Sequence, residues 1–327
     1  MLNRLQPDAL NAVPMKKRQI YFLIVNYYCS HLLFGLIKTI FRSEAVHIII
    51  VDNSPHDPGV SIFSIYDRIT ILSPEENLGF GGGCNIGLRY IAKIDPDAIV
   101  WLLNPDTELK AHAVDKIRYI FENQRPCPAI LGTSIADLDG RPWMNHGRFN
   151  RWTGSFSDID SQFLQSDNSD GHTMLIRPVD WVSGCSMLLN LDLFNRVPQF
   201  DEHIFLYYED AELCLRMRKL GFNTYITTEY LVQHSISAVT SRQPYLAKRC
   251  STFGKLYTLF KHATVVALLI NILYIPLAPI FRRSDGRAQA QASIRGLYDF
   301  TLWLLCQSRH LGKDFSKGLE KPVIPSI

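Results

Sequence analysis

The chain has 327 residues, enough for one large domain or two ordinary ones. Its 47% hydrophobic and 20% charged residues are those of a globular protein that can bury a substantial core. A net charge of +3 with no long basic run argues against nucleic acid, and seven scattered cysteines without a C-x-x-C pair suit a reducing compartment and offer no metal-site spacing.

Residues 1–14 read as a loose tail. "MKKRQIYFLIVNYY" begins at Met15 and has too short an apolar run, with no small-residue cleavage site, to be a signal peptide. It predicts a first buried strand. Apolar runs rich in Ile and Val follow at 20–26, 46–52, 68–73 and 98–103, separated by helical segments at roughly 30–42, 84–94 and 109–124. Continuous apolar runs alternating with helices predict an α/β fold, a mainly parallel sheet covered on both faces. Residues 139–178, rich in Gly, Asp, Ser and Asn, predict a long irregular stretch. "VDWVSGCSMLLN" predicts one strand, "YYEDAELCLRMRKLG" a helix stopped by Gly221, and "NTYITTEYLVQHS" a strand and turn. Beyond residue 245 the pattern is helical. The apolar stretch 264–281, followed by Arg282, Arg283 and Arg287, is shorter than the ~20 residues a spanning helix needs. It predicts either an interfacial helix on the inner face of a membrane or a helix packed on the catalytic domain.

In parallel sheets ligands bind at the carboxyl ends of the strands, and the polar residues gather there: Asn26, Asp52 with Asn53, and Asp106. Asp52 and Asn53 in "IIIVDNS" could take the donors of a base or ribose, or simply close a turn. "ENLGFGGGCNIGLRY" could bring backbone close to a ligand ahead of a helix starting near Cys84 or Asn85. It is no dinucleotide fingerprint, since Cys84 fills the last Gly position, and no Walker loop, since Gly-Lys-Ser/Thr is missing. Asp106 in "LLNPD" could ligate a hard cation or end a turn. Glu209 and Asp210 are adjacent acids near a helix start, where they suit the helix dipole and where their side chains point about 100° apart. Arg216 lies on the stripe of Glu209 and could orient it. His234 matters only if a second ligand stands near it.

In this order the motifs "VDNS", "NLGFGGGCNIG", "LLNPD", "WVSGCSMLL", "FDEHIFLYYEDAELCLR" and "VQHS" closely resemble the family-2 glycosyltransferases of GT-A fold, and within them the rhamnosyltransferase-like branch. The resemblance spans about residues 20–240. It implies a GT-A domain over 15–240, with a nucleotide-sugar half to about 110 and an acceptor half from 111, then a helical region over 241–327. It further implies that Asn26, Asp52 and Asn53 line the base and ribose pocket. Asn77, Gly81, Gly82, Gly83 and Asn85 would border the nucleotide sugar. Asn104-Pro105-Asp106 would stand for the family's D-x-D motif, with Asn104 in the first Asp position, a substitution common in that branch, and Asp106 as the remaining carboxylate. Asp106 and His234 would hold Mg²⁺ or Mn²⁺. Gly184 and Cys185 would flank the donor sugar or acceptor, Glu209 and Arg216 would serve the acceptor, and Asp210 would be the base.

The implied reaction is inverting transfer from a nucleotide diphosphate sugar, dTDP-L-rhamnose first and UDP-galactofuranose, a UDP-hexose or a GDP-sugar as alternatives, to a glycan or lipid-linked acceptor. The implied location is cytoplasmic, peripheral to the cell membrane. An NAD-dependent dehydrogenase and a non-catalytic carbohydrate-binding protein are the rival classes. The failed glycine fingerprint counts against the first, and Asp106, Asp210 and His234 together count against the second.

Overall fold

The computed structural model describes residues 18–44, 46–54, 57–143, 146–158, 175–234, 243–281 and 286–309. The expected tail, Arg282 and Arg283 lie outside them. Two compact units emerge, one of residues 1–149, 156–202 and 210–239, the other of 150–155, 203–209 and 240–327.

The first unit is built on strands β1 (Ile20–Asn26), β2 (Val46–Asp52), β3 (Ile69–Leu72), β4 (Ile99–Leu103), β5 (Thr107–Leu109), β6 (Ile130–Ala136), β7 (Pro142–Trp143), β10 (Ile176–Val179), β12 (Ser186–Asn190) and β13 (Thr224–His234). They form one sheet ordered β10-β13-β6-β12-β4-β1-β2-β3, with β5 on β13 and β7 on β6. The runs "IYFLIVN", "VHIIIVD" and "IVWLL" pair in parallel, as continuous apolar runs should when both faces are covered. The second half is mixed: β12 runs antiparallel between β4 and β6.

Alternation sorts β1 between two cores. Ile20, Phe22 and Ile24 face one cluster with helices α1 (Ser30–Ile40) and α3 (Ala113–Asn123) through Leu33, Leu36, Ile117 and Phe121. Tyr21, Leu23 and Val25 face the other, with α2 (Gly79–Ile94) and α4 (Glu209–Lys219) through Leu88, Ile91, Leu213 and Met217. Trp101, fully buried in β4, stacks on Phe22 with ring centroids 5.2 Å apart and donates its Nε1–H to Ser186 Oγ at 2.9 Å.

Three expectations need correcting. The stretch 139–178 is not simply irregular. It holds β7, β10, β8 (His146–Asn150) and β9 (Ser155–Asp158), and β8 and β9 join β11 (Trp181–Val182) in a small second sheet. "VDWVSGCSMLLN" is two strands rather than one, because Ser183-Gly184-Cys185 turns the chain from β11 into β12. The helix placed near Cys84 starts earlier, at Gly79, so Gly81, Gly82 and Gly83 are helical and buried instead of forming a loop. A Cβ on Gly87 would come within 2.1 Å of Leu23 Cδ1, and one on Gly83 within 2.8 Å of Val25 Cγ1. These glycines let the helix lie close on β1, a packing gain that overrides their poor helix propensity.

The second unit contains α5 (Pro244–His262), α6 (Val265–Phe281) and α7 (Arg287–Arg309). Phe253, Tyr257, Phe260, Phe300 and Trp303 interlock at its centre, and Arg249 donates to Asp299 at 2.5 Å.

Candidate active site

Strand register builds the site. Asn26 is paired with Asp52 at the carboxyl ends of β1 and β2. In β12 Ser186 faces Leu103, so Cys185 stands beside Asn104, whose backbone N–H donates to the Cys185 carbonyl at 3.1 Å. Thr107 donates through its backbone N–H and its hydroxyl to the Asn104 carbonyl, at 3.2 and 2.7 Å, and closes the turn at "NPD". In β5 Thr107 faces His234 of β13, which leaves Asp106 next to that histidine. His234 Nε2 lies 3.1 Å from Asp106 Oδ1, and both side chains are 7% exposed.

This pair offers one carboxylate oxygen donor and one imidazole nitrogen. No group of three or more His, Cys, Asp or Glu forms a metal cluster among the described residues. One carboxylate oxygen and one imidazole nitrogen are donors that would suit a Mg²⁺ or Mn²⁺ ion completing its shell from elsewhere. His234 Nδ1 is buried without a partner, so Nε2 is the nitrogen already committed to the carboxylate side.

Across the turn, Asp210 is the second residue of α4. Its Oδ2 accepts the Gly184 N–H at 2.9 Å and its Oδ1 accepts the Ala211 N–H at 2.7 Å, with Ser183 also donating to it. Burial raises its pKa above the ordinary 3.8 despite these donors. The buried Cys185 thiol stands within electrostatic reach of both Asp106 and Asp210. Burial, then those two acids, pushes its pKa well up and keeps it a neutral thiol. Asp106, His234, Asn104, Gly184, Cys185 and Asp210 are thereby brought together. Glu209 is buried, at 5% exposed, and follows two residues of positive φ, Tyr207 at 68° and Tyr208 at 71°. Such backbone is rare outside glycine and costs energy.

Asp52 accepts Asn26 Nδ2 at 2.9 Å and the Ser54 N–H at 3.1 Å through Oδ1 alone, so Oδ2 has no protein partner among the described residues. Asn53 gives its Nδ2–H to the Gly79 carbonyl at 2.7 Å, and its Oδ1 is buried without a partner. Asn77 Oδ1 accepts the Gly79 N–H at 2.9 Å and its side chain also bonds Tyr27.

Three predicted ligands have other work. Asn26 is 0% exposed and spends its amide on Asp52, Ser54 and Asp57 while its Oδ1 takes the Cys29 N–H, so it ties the end of β1 to the turn after β2. Asn85 is tied in both directions to Phe200, at 2.9 and 2.7 Å, and anchors that loop to α2. Arg216 does not orient Glu209. Its Nε donates to both oxygens of Glu212, at 3.1 and 3.0 Å, and its Nη2 to the Gln199 carbonyl at 2.6 Å, because one turn separates it from Glu212 and two from Glu209. Sequence reading missed Ser183 and Asp57. Burial works to raise the Asp57 pKa, but hydrogen bonds from Asn26, Ser30 and Gly59 hold it below the ordinary value.

The chain is similar to known glycosyltransferases in sequence and in fold. Residues 21–181 match the family model "Glycosyl transferase family 2". The chain is 25% identical over 217 residues to an N-acetylglucosaminyl-diphospho-decaprenol L-rhamnosyltransferase of Mycobacterium tuberculosis, covering 61% of this chain and 69% of that protein. It is 38% identical over 167 residues to the rhamnosyltransferase WbbL of Escherichia coli, covering 48% and 60%. The chain spans about three fifths to seven tenths of the length of the curated relatives it matches. A mannosyltransferase from Pyrobaculum calidifontis, solved with GDP-Man and Mn²⁺, shares the fold with a TM-score of 0.51 at 11% identity, over 90% of this chain and 85% of that one. Residues 21–181 therefore match the family-2 glycosyltransferases, the fold is the GT-A fold of solved glycosyltransferases, and the curated relatives the chain resembles include rhamnosyltransferases.

Proposed function

We propose that the protein transfers L-rhamnose from dTDP-L-rhamnose, with inversion, to a glycan or lipid-linked acceptor in surface polysaccharide assembly. The observation that carries the reading is the meeting of Asp106, His234, Cys185 and Asp210 at the ends of β4, β12 and β13. The donor is assigned on the side of the rhamnosyltransferase relatives. UDP-galactofuranose, a UDP-hexose or a GDP-sugar are the alternatives. The decaprenol in the mycobacterial relative's name supports a lipid-linked acceptor. The reading places the enzyme in the cytoplasm, peripheral to the inner face of the membrane.

Asp52 Oδ2 and Asn53 Oδ1 are the open acceptors for N–H or O–H groups of the base and ribose. Asp210 takes the proton of the acceptor hydroxyl, whose oxygen attacks the anomeric carbon opposite the bond to the diphosphate; that bond breaks and its electron pair leaves on phosphate oxygen. The Gly184 N–H and Ser183 hold the Asp210 carboxylate in place. Its raised pKa makes it a better base than an exposed aspartate. Asp106 and His234 are the residues that would hold a divalent cation, which when bound neutralises charge on the diphosphate. Glu209 is assigned to acceptor hydroxyls.

The test is a thermal-shift panel of nucleotide diphosphate sugars with and without Mn²⁺, followed by transfer assays with the best donor. A Mn²⁺-dependent rise in melting temperature selective for dTDP-L-rhamnose supports the reading. A larger rise with a UDP- or GDP-sugar reassigns the donor. No response to any of them removes donor binding, and the proposal with it.

A further inference from the structure

We propose that α6, α7 and the turn at Trp152 form a docking face for an anionic lipid bilayer surface. The proposal rests on the peripheral reading above and supplies the surface and the lipid class.

Helix α6 has the sequence "VVALLINILYIPLAPIF", without a charged residue. Only part of it is covered by protein: Ala267 and Leu268 are buried at 0% and 8% exposed. Val265, Val266, Leu269, Ile270, Leu273 and Leu277 are 47–72% exposed. At 100° per residue those six fall within one side of the helix, and the buried positions fall on the other. A helix apolar all round is either a core helix or one that meets lipid, and this one is not a core helix. On α7, Ile294, Tyr298, Leu302 and Leu305 repeat at helical spacing and are 36–52% exposed. No helix among the described residues is long and apolar enough to cross a membrane, so this apolar side can lie on a bilayer but not span it.

The turn supplies the interfacial aromatic. Trp152 is 71% exposed, with the Arg151 guanidinium 5.4 Å from its ring centroid. Two hydrogen bonds tie the turn to α6: Thr264 N–H to the Arg151 carbonyl at 2.9 Å, and Asn271 Nδ2 to the Thr153 carbonyl at 3.0 Å. An exposed Trp beside an apolar helix face and a cation suits the boundary between headgroups and acyl chains.

Charge selects the occupant. Residues 240–327 contain thirteen Lys and Arg against four Asp and Glu, net +9, whereas residues 1–239 are net −6. A second copy of this chain on the same face would bring two segments of net charge +9 together. An anionic headgroup layer is complementary to it. Arg151 and Arg287 are exposed cations of this unit.

The test is co-sedimentation of the full-length protein with vesicles of phosphatidylcholine alone and of phosphatidylcholine with phosphatidylglycerol. Binding is expected to favour the anionic vesicles by about tenfold and to weaken with salt. L269E/L273E should lower it by about tenfold or more. R151E/R287E should reduce the preference for phosphatidylglycerol. Both double variants should keep donor-induced thermal shifts and transfer to a soluble acceptor, so loss of docking is distinguishable from failure of the transferase reading. W152A, a single exposed change, guards against misfolding of the double variants. It should weaken binding and abolish any vesicle-induced blue shift of Trp emission. Equal binding to both vesicle types, or binding that survives L269E/L273E and W152A, overturns the proposal. So does absence of binding to the anionic vesicles; a dimer that L269E/L273E dissolves would then make the face a contact between copies.

Discussion

Glu209 and Asp210 follow one another in the chain, yet their surroundings differ. Asp210 holds the Gly184 and Ala211 N–H groups and has a raised pKa, whereas Glu209 is buried behind two residues of positive φ. Asp210→Asn should keep donor binding while transfer falls by about 10²–10⁴-fold, the usual contribution of a positioned base. Activity in the wild type should rise with pH through a midpoint above 3.8, because only ionised Asp210 accepts the proton. The sign for stability is opposite. A carboxyl whose folded pKa is raised stabilises below its unfolded pKa, and that contribution is lost as pH rises through the folded value. Asparagine removes that loss, so the variant should melt no lower than the wild type at neutral pH. A near-normal rate in Asp210→Asn with a dead Glu209→Gln would reverse the two roles. Asp106→Ala tests the paired site: metal-dependent donor affinity should vanish with the fold intact, and transfer that persists in excess EDTA would remove the metal role. Much of this was legible in the sequence because chemistry collects at strand ends. Arg216 was misread because a helical stripe names several neighbours, and Glu212, one turn away, outcompetes Glu209, two turns away. Asn26 and Asn85 were misread because an amide facing a ligand and an amide bracing a loop look alike in sequence.

The glycines of α2 are an element-scale device. Glycine is a poor helix former, so "GFGGG" read as a loop ahead of the helix, but the close approach of this helix to β1 requires residues without a Cβ. Gly83 sits where an added Cβ would meet both Val25 Cγ1 at 2.8 Å and Asn53 Nδ2 at 2.9 Å. Val25 is β-branched and has little rotamer freedom, so the backbone must yield. Gly83→Ala should cost about 1–3 kcal/mol and also weaken donor binding, because Asn53 moves with it. Gly87→Ala meets Leu23 Cδ1 at 2.1 Å one helical turn further on. It should cost stability in the same range while donor affinity at a permissive temperature stays near wild type. Urea unfolding and donor titration on both variants make the comparison. Equal donor affinities for the two would mean that the glycines shape only the core. The break at Ser183–Cys185 was hidden because "VDWV" and "CSMLLN" read as one strand pattern across the short Ser-Gly, and pairing with distant β8 and β4 splits it into two strands.

At the scale of the whole molecule, the parallel strands of the first half follow from local runs and were readable. The assignment of residues 150–155 and 203–209 to the C-terminal unit was not, since it depends on contacts such as Asn271 with Thr153, 118 positions apart. The acid response of the folded chain belongs to this scale as well. His146 is buried at 5% exposed, at the start of β8, and burial lowers its pKa from 6.5 to about 4. A depressed histidine favours the folded state while neutral. That stability is present above the unfolded pKa and is lost as pH falls through the folded one. At 1.36 kcal/mol per pH unit, the loss between pH 6.5 and about 4 is at most about 3 kcal/mol, a large part of a typical folding free energy. Asp57 has the same sign in a lower window, its depressed pKa removing stability only as pH falls below the ordinary 3.8. The melting temperature should therefore begin to fall below pH 6.5, before any carboxylate titrates normally. His146→Phe should flatten that first decline and leave the second in place. The slope with pH is the readout, since the substitution also changes packing and shifts every melting temperature together. If wild type and variant lose stability in parallel from pH 6.5 to 4, burial of His146 is not what makes the protein acid-sensitive.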